Sequence, residues 1–89
     1  MSLFELGRVV ATPGALEVVL HPDEAVSLLR RHQSGDWGEV DGHDRRANNK
    51  AIKEGTRLLS AYTLPGGEKV WIITEADRSA TCLLLPSEY

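Results

Sequence analysis

A single cysteine, Cys82, leaves this chain without any intrachain disulfide, so a reducing cytosol is its expected home. The thiol lies within an apolar run, where its surroundings raise the pKa and suit packing better than reactivity. No apolar stretch approaches membrane-spanning length, and no charged segment leads into a long apolar one at the start. Neither membrane insertion nor signal-peptide export is therefore expected. The chain has no Walker or dinucleotide-type glycine loop, no paired-cysteine zinc spacing, no His-Glu-x-x-His and no Gly-x-Ser-x-Gly. No metal or cofactor is expected, and His21, His32 and His43 fall on separate elements. Positive charge is the minority: ten Lys and Arg against thirteen Asp and Glu give a net charge of −3. That balance argues against bulk affinity for nucleic acid or anionic membranes, but it leaves room for a local basic patch.

What remains is an ordinary globular composition, 42% apolar and 26% charged over 89 residues, which suits one domain (1–89) with one modest core. The strongest architectural signal runs from Lys69 to Pro86. Two apolar, β-branched or aromatic runs flank a polar turn, which reads as a hairpin. Trp71 and Ile73 alternate with Val70 and Ile72, and Cys82 and Leu84 with Leu83 and Leu85, so both faces are apolar. Such strands belong inside a sheet with helices over a face.

Leu6 to Thr12 reads as a short strand, and Thr12-Pro13 as a helix start running to about Leu20. His21-Pro22-Asp23-Glu24 starts a second helix, to about His32, which places Ala25, Leu28, Leu29 and His32 on one face. Asp41 caps a third, to Glu54, closed by Gly55 and carrying a thin inward stripe of Ala47, Ala51 and Ile52. Arg57 to Leu64 is a strand leading through Pro65-Gly66-Gly67 into the hairpin. The expected fold is α+β: an antiparallel sheet of three to four strands, a C-terminal β-meander plus an N-terminal edge strand, with two to three helices packed on one face.

Three constellations carry possible chemistry. In the first, Arg31 and His32 precede the glycine-bracketed loop Gly35-Asp36-Trp37-Gly38, which offers a base beside a carboxylate or, equally, a core histidine and a packing tryptophan. In the second, Arg46, Lys50, Lys53 and Arg57 form a basic stripe if the third helix persists that far. From His43 to Arg57, five basic and two acidic residues give +3, which suits a nucleic-acid backbone, an acidic partner or a solvated face. In the third, the hairpin tip carries Arg78, Ser79 and Thr81, suited to phosphate or to a plain turn.

The run Arg31-His32, Gly35-Asp36-Trp37-Gly38, Asp44, Asn48, Gly55 and Arg57-Leu58-Leu59-Ser60-Ala61-Tyr62, then Trp71 through Ser79 and Leu84-Leu85-Pro86-Ser87-Glu88-Tyr89, resembles the small bacterial proteins often labelled plasmid-related. Leu6 to Leu16 fits as well, so the resemblance spans nearly the whole chain. It implies a mobile-element context and no residue-specific catalysis. Some such sequences carry the label of a type I restriction modification subunit, which 89 residues without a cofactor loop do not support. The expected function is a non-enzymatic binding domain that contacts nucleic acid or a host protein through Arg46, Lys50, Lys53, Arg57, Trp37, Asp36 and Arg31. The alternative is a small toxin-type ribonuclease with His32 as base, Arg78 on the phosphorane, and Ser79 or Thr81 positioning it.

Overall fold

The structure, a computed structural model, describes residues 2–89. Strand β1 (Arg8–Ala11) leads into helices α1 (Pro13–Val18), α2 (Pro22–Gln33) and α3 (Gly42–Glu54). Strands β2 (Leu58–Thr63), β3 (Lys69–Thr74) and β4 (Ala80–Leu84) follow, and a short 3₁₀ turn spans Pro86–Glu88. The class is α+β, with a four-stranded sheet in the order β1-β4-β3-β2.

The helix ends follow their local chemistry. Thr12 accepts from the Ala15 amide at the start of α1, and Asp41 from the Asp44 amide at the start of α3. Gly55 ends α3 in the left-handed region at φ 71°. The meander β2-β3-β4 is antiparallel and β1 lies at the edge, both as expected. The sheet as a whole is mixed, because β1 runs parallel to β4. The intervening helices and strands provide the long crossover that a parallel neighbour requires.

Register sorts the strand residues into two faces. Leu58, Ser60, Tyr62, Val70, Ile72, Thr74, Thr81 and Leu83 share the inner face, and all are buried. Ala15 and Leu28 pack there with Tyr62, Val70, Ile72 and Leu83, while Trp37, Val40 and Ala51 pack around Leu58. The helices thus cover this one face. The opposite face, with Trp71, Ile73, Cys82 and Leu84, receives the chain end: the Tyr89 ring meets Trp71 edge-on at 5.6 Å.

The inward side of α3 differs from expectation. Ala47 is exposed, and Asn48 is buried beside Ala51. A polar side chain wins that position because it completes the sheet edge. Leu59 and Ala61 turn their backbone groups away from β3. The Leu59 amide donates to Asn48 Oδ1 at 3.0 Å, and Asn48 Nδ2 donates to the Leu59 carbonyl at 2.6 Å. Two residues along, the Ala61 amide donates to the Trp37 carbonyl at 3.1 Å and its carbonyl accepts from the Glu39 amide at 2.7 Å. Gly38 forms a bridge with Ala61 at φ 73°, where an added Cβ would run into the Ala61 carbonyl oxygen.

Candidate functional site

His32 and Trp37 of the first constellation and Arg78 of the third meet around one ring. The Phe4 centroid lies 5.1 Å from that of His32 and 6.1 Å from that of Trp37, with the Arg78 guanidinium carbon 5.7 Å away. The meeting place is interior: His32 is 0% and Trp37 2% exposed. Residues Leu3 to Leu6 are tied across it. The Leu3 amide donates to the Gln33 carbonyl, Gln33 Nε2 donates to the Phe4 carbonyl, and Thr81 donates to the Leu6 carbonyl.

His32 is the centre of a hydrogen-bonded row across the inner face. Nδ1 lies 2.5 Å from Ser60 Oγ, Nε2 lies 2.9 Å from Thr74 Oγ1, and Thr74 Oγ1 lies 2.8 Å from Thr81 Oγ1. Thr81 Oγ1 donates at 2.7 Å to the Leu6 carbonyl. That last acceptor fixes the protons of the row as far as His32 Nε2. Since a carbonyl only accepts, Thr81 spends its proton on Leu6, so Thr74 donates to Thr81 and His32 Nε2–H donates to Thr74. Burial, with a smaller contribution from the charge of Arg78, pushes the imidazole pKa down to about 4, so at neutral pH the ring is uncharged and its bare Nδ1 accepts from Ser60. All four side chains are buried and each is hydrogen-bonded, so the row is a satisfied polar seam between the two apolar clusters.

Arg78 is equally occupied. Its backbone adopts φ 60°, and its guanidinium donates to the carbonyls of Ala51, Thr56, Glu75 and Ala76 at 2.6 to 3.2 Å. It thereby pins the hairpin tip to the C-terminal end of α3, where a cation suits the helix dipole. Ser79 sits exposed in the turn, its amide donating to Asp77 Oδ1 at 3.0 Å. Thr81 is buried in the row. Of the groups named for phosphodiester chemistry, His32, Arg78 and Thr81 commit their hydrogen bonds within the fold, while Ser79 stays in the exposed turn.

The surface candidates separate as well. Trp37 Nε1 donates to Asn49 Oδ1 at 3.0 Å, and its ring packs in the core. Asp36 accepts from Arg31 Nε at 2.7 Å and from the Gly38 amide, and the Arg31 bond holds its carboxyl below the usual carboxylate range. The Arg31 guanidinium also lies 4.5 Å over the Tyr62 ring, so this cation is partly neutralised and partly stacked. Arg46, Lys50 and Lys53 are exposed on the side of α3 opposite Asn48 and Ala51. Arg57 leaves that stripe, because Gly55 ends the helix first and Arg57 turns to the Tyr89 hydroxyl at 2.7 Å. Asp41, His43 and Asp44 come within 4.8 Å of one another at the start of α3, but Asp41 is engaged in the helix cap.

Sequence reasoning gave no site role to Phe4, Ser60, Thr74 or Asn48. Ser60, Thr74 and Thr81 each fall on an inward position of an apolar alternation, and that out-of-place polarity was the available signal. No family model, curated protein or solved structure matches this chain.

Proposed function

We propose that this domain is a non-catalytic binding module of the cytoplasm, from a plasmid or other mobile element, which lays the outer face of α3 along a nucleic-acid backbone. The observation that carries this reading is the division of the cations. Arg31, Arg57 and Arg78 are engaged with Asp36, Tyr89 and four carbonyls, whereas Arg46, Lys50 and Lys53 project together from an exposed helix face. Of these three, Lys50 alone pairs with an acid among the described residues, Glu54 at 3.7 Å, and such exposed pairs are weak. The inward commitment of His32, Arg78 and Thr81 supports a binding role over phosphodiester cleavage, because a general base must reach the atom it serves.

Titration of DNA and RNA oligonucleotides against salt tests the proposal. Three backbone contacts give a log–log slope near about −3 for duplex DNA. Reversing Lys50 and Lys53 to Glu abolishes binding if the face is the contact. Unchanged affinity and slope would make α3 a solvated surface and refute the proposal.

A further inference from the structure

The far edge of the sheet is open. The Arg8 amide donates to the Ser79 carbonyl and the Thr12 amide to the Leu83 carbonyl, so alternate residues of β1 bond to β4. By the same alternation Val9 and Ala11 direct their N–H and C=O groups away from the sheet. Val9 and Val10 are 46% and 41% exposed, one on each face. Beside them, an apolar groove of about 510 Å³ runs between β1 and the first two helices, with Leu16 and Leu20 at its rim, 64% and 74% exposed. These four are most of the large apolar side chains left in water among the described residues. No proline, lysine or bulge blunts the strand itself.

We propose that β1 pairs antiparallel with β1 of a second copy of this chain, about a two-fold axis through Val10. In this register Val9 and Ala11 of each copy exchange both backbone hydrogen bonds with Ala11 and Val9 of the other, giving four bonds. Val10 faces its equivalent across the close, non-hydrogen-bonded site. Charge selects this occupant and this register. Arg8 makes no ion pair within the chain among the described residues, and here it stands opposite Thr12 of the other copy. Thr12 is the residue whose hydroxyl holds the Glu88 carboxylate, and Glu88 also accepts from the amides of Gly14 and Leu85. Each unpaired arginine thus meets a fixed carboxylate, twice by symmetry. Moving the register by two residues, so that Val9 pairs with itself, sets Arg8 against Val10 and loses that match. The axis is perpendicular to the sheet, so both helix layers lie on one side and the two α1 helices can cover Leu16 and Leu20. The interface is isologous and closes at two copies. Both α3 faces remain at the far ends of an eight-stranded sheet.

Sedimentation velocity of the full chain across micromolar to millimolar concentrations reads the association. The mass is expected to shift from one chain to two, and no further. Val10→Lys sets two like charges at the axis and is expected to raise the dissociation constant roughly a hundredfold, with the far-ultraviolet circular dichroism unchanged. Arg8→Glu is expected to raise it roughly tenfold and to remove its salt sensitivity. Val10→Cys in a Cys82→Ser background, which removes the neighbouring thiol on β4, is expected to yield an interchain disulfide on mild oxidation. A chain monomeric throughout, growth beyond two copies, or a dimer indifferent to Val10→Lys would overturn the proposal.

Discussion

The two edges of this sheet solve the same problem in opposite ways. At β2, the outward backbone groups of Leu59 are met by one buried side chain, Asn48, and those of Ala61 by the loop from Trp37 to Glu39. At β1, the outward groups of Val9 and Ala11 meet no partner among the described residues, and the side chains around them are apolar and exposed. The lesson concerns the loop Gly35-Asp36-Trp37-Gly38 as much as the strands. A conspicuous motif with a tryptophan, an aspartate and two glycines acts here as an edge cover. The plain run Arg8-Val9-Val10-Ala11 is the surface left available.

Breaking the closed edge carries the largest expected effect. Asn48→Ala strands the Leu59 N–H and C=O in a part-buried place, and each orphaned group costs about 1–3 kcal/mol, so a loss of roughly 3 kcal/mol in chemical denaturation is expected. Asn48→Asp keeps the acceptor for the Leu59 amide but sets a buried carboxylate oxygen against its carbonyl, so at neutral pH it is expected to destabilise at least as much as Asn48→Ala.

The polar seam between the edges answers to acid. His32 has a folded pKa of about 4 against an ordinary value of 6.5, so the unfolded chain binds a proton in that window that the folded chain refuses. Stability is therefore full above pH 6.5 and falls as pH drops towards 4, by roughly 3 kcal/mol from this group alone. Denaturation midpoints at pH 7 and pH 4.5 check this. His32→Gln is expected to be less stable at neutral pH and markedly flatter between the two.

At the open edge, substitution is expected to leave the single chain nearly untouched. Val10→Lys places its side chain in water and is expected to change monomer stability by no more than about 0.5 kcal/mol, measured at a concentration too low for association. Lys50→Glu with Lys53→Glu touches neither edge. It is expected to alter nucleic-acid affinity while leaving both the denaturation midpoint and the sedimenting mass as they were.

Much of the fold was legible because its signals are local. Pro and Thr at a helix start, Asp41 as a cap, Gly55 as a left-handed stop and the alternation of Val70 to Ile73 each act within a few residues. The parallel seating of β1 was not legible, since it depends on the path of the whole crossover. Among the candidate groups, the nearness of His32, Trp37 and Arg78 emerged only with Phe4, a residue far from all three in sequence. A polar side chain inside an apolar alternation reads as a potential site until its partners are known. Ser60, Thr74 and Thr81 are such partners, on three different strands. The role of Asn48 was not legible because helical spacing marks apolar stripes, and nothing in spacing announces that an amide will stand in for a missing strand.

Amide hydrogen exchange at two protein concentrations compares the edges directly, residue by residue. In dilute solution the amides of Leu59 and Ala61 are expected to exchange slowly, and those of Val9 and Ala11 to exchange as free groups. At high concentration Val9 and Ala11 should gain protection together, with Leu59 and Ala61 unchanged. Equal protection of all four in dilute solution, or no concentration dependence at Val9 and Ala11, would contradict the account.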